Sequence, residues 1–600
     1  MAEQFSTLLK LVRRMSVLSR WKKELHAYRQ HVGGEPPIKL ARRMVQTAFE
    51  AGFVNDIVKG SVTNLPRLAG LLAKEGLDVG TVYKLYACTH PERIALTDAR
   101  RKLTYEEAEE EITQLEQALR RQLGVHRRTP VVLMMQNRVE YLLLWMALIR
   151  LGATIVHASW RQTADEFAYQ LEHSEGRLLF ADDSVRPVVE EICEREPHRD
   201  LTVIGVDGDL GQIRYQKLLQ VEVGNRGDEA PQPPTRDERE SEEDRRGSGN
   251  IVYTSGTTGR PKGAVRDLTT FGLVEFFRIL ERLPVETADR HLIVTPLYHS
   301  GAQAFSLMHA ALGATLFLEP EFDARRTLQR LDEEKIHSIF MVPTMIRQIL
   351  DLPREVHEQY PGDNMRALLS GAAPFPQALR RRAIDRFGAS VVHDFYGATE
   401  IGWVTLINGQ EMLDRPRSVG RPLSGHQIRI MDEDGEVLVT GQTGLIYVQN
   451  AQTMSGYLKN EEATDATLRD GWMTVDDLGY LDDEGYLYVV GRHRDMVISG
   501  GVNIYPAEIE EVLTHHEAVD EVAIIGVDDD QWGEALVAVV VLQSDISAEE
   551  LEAYVGEHLS DYKVPRRWHF VDGLPRNPTG KVLKRKLVDQ FGPCDRIGRH

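Results

Sequence analysis

The 600-residue chain has only three cysteines, Cys88, Cys193 and Cys594, set far apart. So sparse and odd a set makes no disulfide framework and no CxxC zinc spacing, and a reducing, cytoplasmic setting fits it best. Positive charge is also short: 71 lysines and arginines against 91 aspartates and glutamates leave a net charge of −20. That balance excludes coating of nucleic acid as the main task, and no nucleic-acid partner is expected. Long apolar runs are missing, and none reaches the ~18 residues of a membrane span. The most apolar stretch, Val131 to Val156, is broken by Gln136, Asn137, Arg138, Glu140 and Arg150, and reads as a strand, a turn and a buried helix. Lys10, Arg13 and Arg14 interrupt the N-terminus where a secretory core would lie. No repeat of roughly 20–50 residues is visible, which excludes solenoids and propellers.

What is present is ordinary globular composition, 42% hydrophobic and 27% charged, which excludes a disordered chain. Phe5, Leu8, Leu11, Met15, Leu18, Trp21, Leu25 and Tyr28 recur every three or four residues among basic ones. Residues 1–30 therefore read as an amphipathic helix, either packed on the body of the protein or lying peripherally on an anionic membrane. Beyond it, β-branched runs alternate with helical patterns: strands at Val131–Met135, Ala153–His157, Arg177–Ala181 and Leu201–Val206, with helices between them. That order predicts parallel sheets covered by helices. Pro231, Pro233, Pro234 and the charged run from Arg236 to Arg246 mark an exposed linker between Gly224 and Gly249. After Gly491–Asp495 the pattern becomes a small α+β unit, in which Ser547 caps a helix and Glu550 completes a capping box. The predicted organisation is a helical extension over 1–60, a large domain over 61–494 and a small one over 495–600.

The short strand Asn250–Tyr253 runs into Thr254-Ser255-Gly256-Thr257-Thr258-Gly259-Arg260-Pro261-Lys262-Gly263. Glycines let backbone N–H groups close on an anion, hydroxyls donate to phosphoryl oxygens, and lysine supplies charge. A Walker loop places its lysine before Ser or Thr at the start of a helix; here Lys262 stands between proline and glycine, so this is a different phosphate loop.

The loop resembles the signature of the adenylate-forming superfamily, and the resemblance runs from about Leu77 to Leu587. Tyr396-Gly397-Ala398-Thr399-Glu400 is similar to the family's YGxTE. Gly471-Trp472 with Asp477-Leu478-Gly479-Tyr480 resembles its GW…TGDLGY, and Gly491-Arg492-His493-Arg494-Asp495 its GRxxD. Pro575 to Lys581 resembles its C-terminal PRxxxGK. The implied fold is α/β, with a large N-terminal domain of parallel-rich sheets covered by helices and a small, mobile α+β C-terminal domain. The implied chemistry is attack of a carboxylate on the α-phosphate of ATP, followed by transfer of the acyl group to a thiol.

The resemblance also implies roles. Glu400 would hold Mg2+, Thr399 would bond the α-phosphate, and Thr254 to Gly259 with Lys262 would orient the departing pyrophosphate. Asp477 would accept the ribose hydroxyls and Arg492 would add a second contact. Gly371, Ala372 and Ala373, with Tyr396, would make the adenine slot. Lys581 would pair with carboxylate and α-phosphate oxygens during adenylation. Asp495 would be the hinge, Gly500 and Gly501 would line the CoA channel, and His299 would gate the passage to it. Two positions depart from the family pattern: Asp476 replaces the glycine of TGD, and Ile498 stands where a lysine is often found.

The expected pocket lining, Gly301–Ser306, Phe340–Met345, Ser370–Ala373 and Ile401–Thr405, is mostly small or apolar and lacks an acidic anchor for an amino group. An unpaired charge is costly to bury there, so a hydrophobic acid is expected. The leading expectation is a medium- or long-chain fatty acyl-CoA synthetase using ATP, Mg2+ and CoA. The alternatives are an aryl or other carboxylic acid–CoA ligase, an acyl-AMP ligase loading a carrier protein, and a silent lipid-binding relative.

Overall fold

Several helices start by one local device. Thr104, Thr163, Asn408 and Ser547 each accept a hydrogen bond from the backbone three residues on, while Glu107, Glu166, Glu411 and Glu550 reach back to the capping residue. The box read at Ser547 and Glu550 opens helix Ala548–His558. These caps belong to a computed structural model that describes residues 43, 46–48, 50–61, 68, 70–71, 79–195, 200–220, 249–254, 261–266, 273–499, 502–529, 531–576 and 582–592. The amphipathic helix read over residues 1–30 and all but the last residue of the linker read between Gly224 and Gly249 lie outside the described residues.

The stretch from Val131 to Val156 forms strand Pro130–Met134, the buried helix Val139–Leu151 and strand Thr154–His157. Its strands join an eight-stranded sheet ordered Gly456–Tyr457, Lys262–Arg266, Gly249–Thr254, Thr154–His157, Pro130–Met134, Leu178–Ala181, Thr202–Gly205 and Ile213–Arg214. The last six run parallel, and the first two pair antiparallel at the edge. Strands buried on both faces need no polar alternation, which is why Val131–Met134 reads as a continuous apolar run.

A second sheet has fourteen strands. Ile94–Thr97, Thr315–Leu318, Arg290–Ile293, Ser338–Met341, Ala367–Ser370 and Val392–Ala398 run parallel. From Gly402–Asn408 onward the sheet turns antiparallel through Ser418–Pro422, Leu487–Arg492, Trp472–Leu481, Gly444–Gln449 and Gln427–Met431. The alternation read between Val131 and Val206 falls in the first sheet; the antiparallel half of the second, whose strands follow one another with few helices between, was not anticipated.

The small domain is a five-stranded sheet, Val497–Ser499, Val502–Ile504, Val519–Asp529, Gly533–Leu542 and Arg567–Phe570, packed on helices Pro506–Thr514, Ala548–His558 and Lys584–Phe591. The architecture is therefore α/β, a large N-terminal domain followed by a small α+β one. Two arginines of the large domain reach across: Arg347 Nη1 lies 2.8 Å from the Asp520 carbonyl, and Arg417 Nε lies 2.8 Å from Glu511 Oε2. Among the described residues no helix is long and apolar enough to cross a membrane.

Candidate active site

The phosphate-loop strand Gly249–Thr254 pairs antiparallel with Lys262–Arg266, and Thr254 stands opposite Lys262. Ser255, Gly256, Thr257, Thr258 and Gly259, between them, lie outside the described residues. At the foot of the loop the Thr254 hydroxyl donates to Glu400 Oε1 at 3.1 Å, and the Tyr457 hydroxyl donates to the same oxygen at 3.0 Å. Tyr457 arrives on strand Gly456–Tyr457, which pairs with the lysine strand, and its ring centroid lies 5.1 Å from Lys262 Nζ. Burial, and then the Glu400 charge, push the Tyr457 phenol well above its ordinary range, so it stays a donor. Burial pushes the nearby Arg266 down to about 10, with Glu400 opposing, so it remains a cation at neutral pH.

Glu400 owes its place to a tight reversal. Strand Val392–Ala398 returns as Gly402–Asn408, and a Cβ on Gly397 would run into the Gly402 carbonyl. Gly402 itself holds φ +69°, in the region that favours glycine. The three residues at the tip, between the strands, are Thr399, Glu400 and Ile401, and the Thr399 and Ser300 hydroxyls are 3.0 Å apart. This contact ties the first residue of helix Ser300–Ala311 to the tip.

A second group forms where strands Trp472–Leu481 and Leu487–Arg492 pair, Asp477 opposite Arg492. The Tyr396 hydroxyl donates to Asp477 Oδ2 at 2.8 Å, and Arg492 Nε lies 3.3 Å from Oδ1. Like Glu400, Asp477 is only 8% exposed, so both carboxylates act in a medium of low dielectric. The departure at Asp476 has a structural answer: its φ is +67°, a left-handed conformation that glycine adopts freely and aspartate tolerates better than most residues.

Behind the tip lies an aromatic box. Phe305 contacts Phe340, Trp403 and Phe395 at centroid distances of 4.8, 4.2 and 5.6 Å, and Phe395 meets Trp403 at 5.3 Å. All four rings are buried. Gly371 borders the box, and a Cβ there would stand 2.5 Å from the Phe395 ring. A Cβ on Gly301 would come within 3.0 Å of Phe340. Ala372, exposed and at φ +65°, and half-buried Ala373 continue from Gly371.

The structure thus gathers Thr254, Lys262, Thr399 and Glu400 in one group, Tyr396, Asp477 and Arg492 in another, and sets Gly371 beside the box. His299 is the cap residue of helix Ser300–Ala311, its ring 4.2 Å from that of Tyr298. Asp495 closes the short turn His493–Asp495 between the domains, with Arg494 Nε 3.8 Å from its carboxylate. Lys581, Gly500 and Gly501 lie outside the described residues. Tyr457, Ser300 and Arg266 join the site without having been singled out from the sequence. Ser300 adjoins His299, but Tyr457 reaches the site only through strand pairing and carries no local signal.

Among the described residues no three His, Cys, Asp or Glu side chains stand together as a metal cage. Magnesium needs no such cage, since it is commonly held by one or two carboxylates together with substrate phosphates. Glu400 fits that use: it is a buried carboxylate at the foot of the loop, and both hydroxyls converge on its Oε1 alone.

The sequence matches the family model described as AMP-binding enzyme over residues 85–458, and that of the AMP-binding enzyme C-terminal domain over residues 508–581. It is 33% identical over 500 residues to a 2-succinylbenzoate–CoA ligase of Bacillus licheniformis, covering 83% of this chain and 97% of the relative. The fold is similar to that of the amide bond synthetase McbA from Marinactinospora thermotolerans, with TM-score 0.75, 26% identity and coverage of 86% and 99%. It is also similar to the o-succinylbenzoate CoA synthetase of Bacillus subtilis in complex with its acyl-adenylate intermediate, with TM-score 0.70, 28% identity and coverage of 84% and 97%.

Proposed function

The chain belongs to the AMP-binding enzyme family, among its AMP-forming acid–CoA ligases, and on that premise we propose that it activates a compact aryl carboxylic acid with ATP and passes it to CoA. The observation that carries this reading is the box of Phe305, Phe340, Phe395 and Trp403. Rings packed this closely would block a long alkyl chain, and their faces would suit an aromatic acid. The named 2-succinylbenzoate ligases among the relatives support the same choice. The fatty acid expected from an apolar lining therefore gives way to the aryl alternative.

In the first step a carboxylate oxygen forms a bond to the α-phosphorus while the bond to the pyrophosphate oxygen breaks. Glu400 would hold Mg2+, which neutralises phosphate charge as the two anions approach. Thr254 and Tyr457 orient the Glu400 carboxylate, and Lys262, whose Nζ lies 5.1 Å from the Tyr457 ring, would follow the pyrophosphate. Thr399 donates to the α-phosphate, and Lys581 adds positive charge where charge develops. Asp477, aimed by Tyr396 and Arg492, accepts the ribose hydroxyls, with Gly371 to Ala373 flanking the base. In the second step the CoA sulfur forms a bond to the acyl carbon, and AMP leaves with the electron pair of the broken carbon–oxygen bond. Rotation about Asp495 exchanges Lys581 for the channel formed by Gly500 and Gly501, and His299 gates the passage.

The test is pyrophosphate release with ATP and Mg2+, comparing benzoate, 2-succinylbenzoate, octanoate and palmitate, each with and without CoA. CoA-dependent turnover of an aryl acid is expected. Turnover of palmitate in preference to both aryl acids would restore the fatty-acid reading, and release without any CoA dependence would point to a carrier protein.

A further inference from the structure

A polar layer lies directly beside the aromatic box. Helix Ser300–Ala311 carries Phe305 and His309 one turn apart, and strand Ser338–Met341 carries Ser338 and Phe340 two residues apart. Each element therefore presents one aromatic and one polar partner on a single face. The Phe305 and Phe340 rings meet at 4.8 Å, and next to them His309 Nε2 lies 2.7 Å from Ser338 Oγ. The neighbouring strand Arg290–Ile293 places His291 in register with Ser338, and His291 Nδ1 lies 2.9 Å from the same hydroxyl. The two imidazoles stack at 3.9 Å with an interplanar angle of 12°. On its other side His309 Nδ1 lies 2.8 Å from the Phe305 carbonyl. His291, Ser338 and His309 are all buried.

Burial pushes His309 down to about 4 and, with the adjacent His309, holds His291 well below its ordinary range. Both rings are neutral at physiological pH, so each has one donor and one acceptor. The Phe305 carbonyl can only accept, so His309 Nδ1–H donates to it and His309 Nε2 must accept. The Ser338 O–H then donates to His309 Nε2, and Ser338 Oγ accepts His291 Nδ1–H. The chain has a single direction and crosses two strands and the helix. Sliding the helix along the sheet would break it and leave buried polar groups without partners, which makes the helix position discrete rather than adjustable.

We propose that the chain from His291 through Ser338 to His309 fixes the height of helix Ser300–Ala311 on the sheet and thereby sets the depth of the acid pocket. The proposal rests on the reading of the aromatic box as the acid site. Its members are positioning residues that touch no substrate: they act through Phe305, whose own carbonyl is the end of the chain.

The experiment compares benzoate with 4-propylbenzoate in pyrophosphate release by wild type, Ser338→Ala, Ser338→Thr and Trp403→Ala, with melting temperatures recorded alongside. In Ser338→Ala, kcat/KM for 4-propylbenzoate relative to benzoate should rise about tenfold while KM for ATP stays within about twofold, and Ser338→Thr, which keeps the hydroxyl, should return the ratio toward wild type. A lower melting temperature with an unchanged acid ratio would overturn the proposal and leave the chain a packing feature. Should Ser338→Ala fail to fold, His309→Gln is judged by the same ratio. Trp403→Ala separates the two levels: if it shifts the ratio and Ser338→Ala does not, only the positioning role fails. If Trp403→Ala leaves the ratio unchanged, or if wild type uses neither acid, the box is not the acid site and both readings fail.

Discussion

Thr254 and Glu400, 146 residues apart in sequence, meet at 3.1 Å, the hydroxyl donating to Oε1. The Tyr457 hydroxyl shares that oxygen. Glu400→Gln keeps the volume and removes the charge, so pyrophosphate release should fall about 10²–10³-fold with a smaller change in nucleotide binding. Thr254→Val and Tyr457→Phe each remove one donor and should cost about tenfold. Steady-state kinetics against Mg2+ concentration checks this, and a Glu400→Gln enzyme of wild-type rate would remove the carboxylate from the site.

At Asp476 the backbone rather than the side chain decides. With φ at +67°, Asp476→Gly should leave the melting temperature unchanged or raise it slightly, whereas Asp476→Val should destabilise by about 1–2 kcal/mol. Thermal unfolding of the two variants measures the difference, and equal stability would contradict the strained conformation.

Gly371→Ala puts a methyl 2.5 Å from the Phe395 ring. The ring must move or the strand must shift, at a cost of about 1–3 kcal/mol. Because Phe395 belongs to the box, KM for the acid should rise more than KM for ATP. The reverse order would place Gly371 nearer the base than the acid.

Buried neutral histidines make the fold sensitive to acid. Burial holds His309 and His157 each at about 4, against 6.5 for an exposed histidine. Between those values the unfolded chain binds protons that the folded one does not. Their contribution is full above pH 6.5, is lost as the pH falls toward 4, and then levels off. Urea unfolding midpoints across that window should fall less steeply for His309→Gln than for wild type, and parallel curves would show that His309 is not protonated on unfolding.

Lys581→Ala should lower adenylation about 10²–10³-fold and leave transfer from a supplied acyl-adenylate largely intact. Equal loss of both half-reactions would refute the assigned role.

Much of the local structure was legible because its causes span only a few residues. The Ser547–Glu550 box closes over three residues, and the alternation from Val131 to Ala181 carries the parallel sheet on its face. The antiparallel half was not legible, since the pairings that order it, Ser418–Pro422 with Leu487–Arg492 and Gly444–Gln449 with Trp472–Leu481, join strands that are not neighbours in sequence. Within the site, the Glu400 and Asp477 motifs could be read, but the donors that aim them, Tyr457 and Tyr396, meet them only in the folded chain.

The sequence by itself determined the chemistry on offer: a loop of hydroxyls, glycine and lysine, two isolated carboxylates, and an apolar lining without a counter-charge. Those are properties of residue type and short spacing, and they survive in any conformation. The size of the acid is different, because it depends on volume. Tertiary structure alone decides that Phe305, Phe340, Phe395 and Trp403 pack against one another, and that His291, Ser338 and His309 meet in one hydrogen-bonded chain beside them. Apolar residues of like composition could line a long channel or fill it, and only close packing of elements distant in sequence settles which.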